Sequence, residues 1–265
     1  MAANTEKEMS FLDHLEELRW HLVRSALLVC TLMVVLFFNK EFVFDTIILG
    51  PMQSDFLTYR WFCQLGEWLN AKEVLCFGAI PMKLISTNMS GQFTTHVWVS
   101  FIGGLIVSFP YVFWELWRFI KPGLYEKEQS YTRGIVLYAS VLFLLGVLFG
   151  YYLIAPLSVN FLGGYQVSTA VFNTIDLNSY ISTVTTLTLA TGATFEMPIL
   201  VYFLTKIGLI GPTFLRTYRR HAIVVLLIIA AIITPPDVIS QVIVTLPLLL
   251  LYEISILIAA RVEKK

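Results

Sequence analysis

The stretch GIVLYASVLFLLGVLFGYYLIA, Gly134–Ala155, runs for twenty-two residues without a charge. At 1.5 Å per residue it makes a helix of about 33 Å, enough to cross the ~30 Å hydrocarbon layer of a bilayer. Working outward, similar blocks lie on both sides: Leu22–Phe38 and Val97–Trp117 before it, then Tyr180–Thr205, Ala222–Thr234 and Val238–Ala260 after it. Charge, Pro or Gly separates each from the next. The fifth block is short, about 20 Å of helix before Pro235, so it must thin the bilayer locally or lean on neighbours. Composition agrees, with 57% hydrophobic residues, 14% charged and a mean hydropathy of +0.75. Soluble domains carry roughly 25% charged residues, so that class is excluded, as are disordered, collagenous and disulfide-scaffold chains. Eighteen basic and eighteen acidic residues cancel, leaving no net field for nucleic acid. The fold class is all-α: a polytopic membrane protein of six transmembrane helices, in one membrane domain over residues 1–265.

Basic residues set the orientation. Fourteen of the eighteen lie in the N-terminal segment (Lys7, Arg19 and Arg24), in the second and fourth loops, or in the tail. The other four (Lys40, Arg60, Lys72 and Lys83) lie in the long first loop, where the rule is weakest. Both termini are therefore cytoplasmic. This gives a cytoplasmic amphipathic segment over 1–21, a structured extracytoplasmic first loop over 39–95, and a first cytoplasmic loop over 118–133. The first segment is acidic and polar, without the apolar core of a cleavable signal peptide. No internal repeat is visible, so the duplicated architecture of many carriers is not supported.

Three constellations carry possible chemistry. The pre-membrane segment is SFLDHLEELRW, Ser10–Trp20, and Ser10 with Asp13 suits the start of a helix. Phe11, Leu15, Leu18 and Leu22 then form an apolar stripe, with Asp13, Glu17, Trp20 and Arg24 opposite. One reading is an interfacial helix with a solvated charged face. The other is a cation-seeking site, because residues 1–24 hold five acids against three bases. The second constellation is the loop FIKPGLYEKE, Phe119–Glu128, where Pro122 and Gly123 end a helix and Glu126 and Glu128 follow on the membrane face of Glu17. Two acidic patches on one face suit paired guanidinium groups, which carboxylates bind in bidentate fashion. Local pairing with Lys121, Lys127 and Arg133 is the alternative.

The third constellation is carboxyl groups at membrane depth. Glu115 and Glu253 lie near cytoplasmic ends, where snorkelling or pairing with Arg118 or Arg261 would satisfy them. Asp237 lies at the outer edge. Glu196 sits well inside the fourth span, beside Thr185, Thr186, Thr188, Thr191 and Thr194 and before Pro198. A carboxyl in hydrocarbon must be paired, protonated or water-facing. A polar concave wall, a proton relay and a structural Glu bonded to threonines are all compatible with that setting. Pro110, Pro198 and Pro247 free backbone carbonyls and bend helices towards a curved wall. Cys63 and Cys76, thirteen apart in the external loop, are either a disulfide worth ~3 kcal/mol or two free thiols. No zinc-protease, nucleophile-elbow or phosphate-loop motif occurs, nor a Cys/His cluster at metal-ligand spacing, so the reading is non-enzymatic and calls for no cofactor or metal.

In order along the chain stand HLEELR (His14–Arg19), Pro51, Phe93, FIKPGLYEKE (Phe119–Glu128) and Tyr151 followed by Pro156. FEMP (Phe195–Pro198), TPPD (Thr234–Asp237) and Pro247 leading to LYE (Leu251–Glu253) complete the series. This series resembles the TatC family, the multispanning core subunits of the twin-arginine protein translocase, over nearly the whole chain. The resemblance implies a concave, glove-shaped bundle capped outside by the first loop, in the bacterial cytoplasmic (inner) membrane. It implies a receptor for twin-arginine signal peptides of folded precursors, whose export the proton-motive force drives. The family's two recognition carboxylates fall on Glu17 and Glu128, supported by Arg19, Leu124 and Glu126. Pro51, Phe93, Tyr151, Glu196 and Asp237 match family positions. The implied partners are TatA-type and, in many organisms, TatB-type single-span proteins, membrane lipid, and further copies of the chain in the assembled complex. Glu16 and Glu126 add carboxylates beside the expected pair, the first external loop is longer than the family's, and the Cys63/Cys76 pair is not a family requirement. The competing class is a proton-coupled small-solute carrier using Glu196.

Overall fold

A computed structural model describes residues 11–68, 70, 76, 83–120, 132–168, 173–234 and 238–263. Helix α1, Phe11–Phe38, is continuous, so the charged segment extends the first span without a break between them. A π-helical turn, Phe42–Ile48, and a 3-10 turn, Gly50–Met52, lead to α2, Leu57–Trp68. After β1, Lys83–Ile85, comes α3, Gly91–Ile120, unbroken through Pro110. The third span is α4, Thr132–Phe149, a π turn at Gly150–Ile154, and α5, Ala155–Gly164. Strand β2, Thr174–Asp176, precedes α6, Leu177–Phe195, and α7, Met197–Lys206, which meet at Glu196 ahead of Pro198. Helix α8, Pro212–Thr217, leads to α9, Arg219–Ile233, and α10, Val238–Glu263.

Five of these segments are long and apolar enough to cross a membrane among the described residues: Leu15–Phe38, Gly91–Ile120, Gly134–Gly164, Leu177–Lys206 and Gln241–Glu263. The remaining membrane helix, α9, has 15 residues. At about 22 Å it is shorter than a bilayer core. It is supported by α10, against which Leu226 and Ala230 are buried with Val244 and Leu248. The chain is not wholly helical. Strands β1 and β2 pair in parallel, Lys83 opposite Thr174 and Ile85 opposite Asp176, and join the first and second external loops. Hydropathy could not reveal a pair only three residues long.

Small residues set the helix spacing, as membrane packing demands where no hydrophobic effect drives helices together. A Cβ on Gly104 of α3 would stand 2.9 Å from the backbone nitrogen of Met33, so α1 and α3 touch main chain to main chain. Gly146 and Gly192 do the same for α4 and α6: a Cβ on Gly146 would meet the Gly192 Cα at 2.9 Å. Apolar side chains such as Val34, Leu137, Leu144, Val225, Leu246 and Leu250 point outward, as they should where the surroundings are lipid.

The external end is fixed by hydroxyls. Tyr59, Tyr151 and Tyr180 donate to the carbonyls of Pro51 (2.8 Å), Ile47 (2.6 Å) and Ile48 (2.7 Å), and Tyr59 also reaches Pro156 at 2.9 Å. Ile47, Ile48 and Pro51 lie in the π and 3-10 turns, where the tyrosines satisfy carbonyls without a regular α-helical partner, and the bond to Pro156 adds a tie to α5. Asp176 caps α6 by accepting from Asn178 N at 2.9 Å and also accepts from the Thr87 hydroxyl at 2.6 Å. The Thr87 bond holds its carboxyl below the ordinary range.

Candidate functional site

At the cytoplasmic end, where α1 lies along α3, polar side chains meet between helices. Glu115, 1% exposed, accepts from the Tyr111 hydroxyl at 2.8 Å through Oε1 and from His21 Nδ1 through Oε2. The other ring nitrogen of His21, Nε2, stands 3.9 Å from Glu17 Oε1. Glu17 itself is 39% exposed. The result is a graded chain: a fully buried carboxylate, a buried imidazole, then a carboxylate at the surface. The edge of Phe119 closes the imidazole's side at 6.3 Å between centroids. Arg118, one turn along α3, stacks over Trp114 at 5.1 Å. Glu115 is therefore held by His21 and Tyr111, rather than snorkelling to water. Glu253 pairs with Arg219 at 2.8 Å, tying α10 to the start of α9.

Neither stripe of α1 is turned wholly inward. Leu15 and Leu22 of the apolar stripe are exposed, and so are Trp20 and Arg24 opposite them, while the buried side chain is His21, between the two stripes, which meets Glu115 of α3. A polar group at membrane depth must find such a partner on a neighbouring helix.

Other sequence-selected residues lie as follows. Arg19 is exposed on α1. Pro51 is fully buried and Phe93 is 66% exposed, edge-on to Phe37 at 6.4 Å. Tyr151 packs edge-on against Phe56 in addition to its bond to Ile47. Cys63 and Cys76 are joined as a disulfide, with Cα atoms 4.2 Å apart. Both carboxyl oxygens of Glu196 are enclosed and meet no side-chain donor. Its threonine neighbours do not bond to it: Thr185, Thr191 and Thr194 donate to Ile181, Leu187 and Ala190 of their own helix, each at 2.7 Å. Leu124, Glu126, Glu128 and Asp237 lie outside the described residues. Sequence reasoning missed His21 and Tyr111. The i, i+4 spacing of Glu17 and His21 was the visible signal, but nothing local points to Glu115, 94 residues away.

A family model described as "Sec-independent protein translocase protein (TatC)" matches residues 13–247. The chain belongs to the TatC family. It is 43% identical to the Sec-independent protein translocase protein TatC of Blattabacterium sp. subsp. Periplaneta americana, covering 99% of each chain. It is 34% identical to TatCy of Bacillus subtilis, covering 97% of this chain and 91% of that relative. Among solved structures, "Crystal Structure of Twin Arginine Translocase Receptor- TatC" superposes with a TM-score of 0.69 at 32% identity, over 94% of this chain and 99% of that one. This TatC-family chain is therefore a component of the Sec-independent protein translocase, with the six-helix, glove-shaped architecture of those structures and a multi-pass place in a membrane. Its function is transport of protein rather than catalysis.

Proposed function

We propose that this chain is the signal-peptide receptor of a twin-arginine translocase in the bacterial inner membrane. Glu17 and Glu128 accept the two guanidinium groups of the signal, with Arg19, Leu124 and Glu126 shaping the surroundings. The observation that carries the reading is the half-exposed Glu17 carboxylate, next to the buried His21–Glu115 pair rather than free on a solvated face. A carboxylate whose backing is fixed loses little freedom on binding, and a planar guanidinium can engage both of its oxygens. The related crystal structure carries the word receptor in its name, which points the same way.

After capture, the apolar part of the signal lies along the concave wall. Small TatA-type and TatB-type single-span partners, with further copies of the chain, assemble there for export driven by the proton-motive force. Pro51, Phe93, Tyr151, Glu196 and Asp237 are framework and wall positions in this scheme. The test is equilibrium binding of a twin-arginine signal peptide to the purified protein in lipid nanodiscs, repeated with Glu17→Ala and Glu128→Ala. Each substitution is expected to weaken binding about tenfold or more, the scale of a charge-assisted bidentate contact. Affinity untouched in both variants would overturn the reading. The carrier alternative draws on the enclosed Glu196 carboxyl, and predicts loss of solute uptake in Glu196→Gln with protein export intact.

A further inference from the structure

The long external loop holds a helix with three distinct faces. At 3.6 residues per turn, Thr58, Tyr59, Phe62, Cys63 and Gly66 of α2 occupy one arc of about 140°. None of these five is exposed, and Thr58, Tyr59 and Gly66 are buried. Arg60, Gln64 and Glu67 share a second arc of about 60°, exposed and polar. Leu57, Trp61, Leu65 and Trp68 share the third, about 80° wide, and all four are exposed, Trp61 by 64% and Trp68 by 79%. A helix resting on a protein surface in water needs only two of these faces. An outward apolar sector beside a polar one is the pattern of a helix at a bilayer surface.

The roll of α2 is fixed. Thr58 donates to the Tyr152 carbonyl, Tyr59 bonds the carbonyls of Pro51 and Pro156, Phe56 stacks on Tyr152 at 5.7 Å, and the Cys63–Cys76 bridge holds the far half. Its depth is fixed by the same contacts. Counting about 20 residues of hydrocarbon-crossing helix from Gly134 reaches the Tyr152–Pro156 region, so α2 docks where the third span leaves the hydrocarbon. Tyr152, on which Phe56 stacks, is 41% exposed and Leu148, one turn before it, 50%, so α2 borders the outward side of the third span. Trp and Leu are the side chains suited to that depth, with an indole N–H for the headgroups and an apolar body for the acyl boundary.

We propose that α2 is an interfacial anchor, seated through Leu57, Trp61, Leu65 and Trp68 in the outer leaflet of the membrane the chain spans. The anchor holds the external cap against the bilayer, while the buried face of α2 holds it against the third span.

The test compares the full chain with a Trp61→Phe, Trp68→Phe variant in phosphatidylcholine vesicles, with and without bromine at acyl positions 6 and 7. Both positions are exposed and phenylalanine keeps a ring there, so an unchanged melting temperature certifies the variant. The difference between the two emission spectra reports Trp61 and Trp68. It is expected to be blue-shifted, to lose most of its intensity in brominated lipid, and to resist aqueous iodide. Loss to iodide with none to bromine would place the stripe in water and overturn the proposal. Resistance to both quenchers would mean that protein covers the stripe, a second copy or another chain, and would overturn it equally.

Discussion

The two ends of the bundle are fastened by opposite chemistry. At the external end, neutral tyrosine hydroxyls reach the main-chain carbonyls of Ile47, Ile48, Pro51 and Pro156. At the cytoplasmic end, ionisable side chains hold one another: Tyr111 and His21 on Glu115, with Glu17 beyond. The first arrangement is a lock. It satisfies backbone groups that turns leave over, offers no charge, and keeps its shape over a wide range of pH. In the proposed receptor the second is a mounting for the site, its outermost member being the partly exposed Glu17 carboxylate. Burying Glu115 and His21 against each other lets each offset part of the other's desolvation cost.

The contrast can be broken by substitution, and the largest effect belongs to the charged end. Glu115→Ala leaves His21 buried beside an empty place and should lower unfolding stability by about 3 kcal/mol, measured by thermal melting in detergent. Replacing both partners, His21→Leu with Glu115→Leu, should restore much of that stability yet leave signal-peptide affinity reduced, because Glu17 loses the group beside it. Recovery of affinity along with stability would show that the pair serves packing alone. Next comes Tyr180→Phe at the neutral end, which strips the donor from the buried Ile48 carbonyl and should cost about 1.5 kcal/mol with no change in peptide affinity.

pH probes the external end more gently. Burial pushes the Tyr59 phenol up to about 12. A raised pKa contributes stability that is complete below the unfolded value of about 10 and is lost as pH rises through the folded one. Alkaline melting curves should therefore fall between those limits, and Tyr59→Phe should flatten the fall. The smallest effect is at Asp176. Its lowered pKa contributes stability above the ordinary carboxylate range, lost as pH falls through the folded value. Asp176→Asn should remove that acid dependence and, because Asn still caps α6, lower the neutral-pH melting point only slightly.

Spans were legible in the sequence because a bilayer imposes a length and forbids charge, and both are properties of a short window. Even the shortness of α9 could be read, since Pro235 marks its end. The buried side of α1 could not be read from its stripes, since Leu15 and Leu22 on one and Trp20 and Arg24 on the other are all exposed, and buried His21 lies between them. Glu115 was visible as a carboxyl at membrane depth, but its partners depend on the register between α1 and α3. The close approach of Gly104 to Met33 sets that register, and no local pattern encodes it. The β1–β2 pair escaped for the same reason: three residues on each side carry no period, and only the folded loops bring them together.

The central claim, that Glu17 meets an arginine of the signal, is tested most directly by a double-mutant cycle. Signal peptides with Arg-Arg or Lys-Lys would be titrated against the native chain and Glu17→Gln in nanodiscs. The arginine preference of the native chain is expected to shrink about tenfold or more in the variant, a coupling of roughly 1.4 kcal/mol or above. Two independent, additive losses would contradict it, and would return Glu17 to the solvated face of its helix.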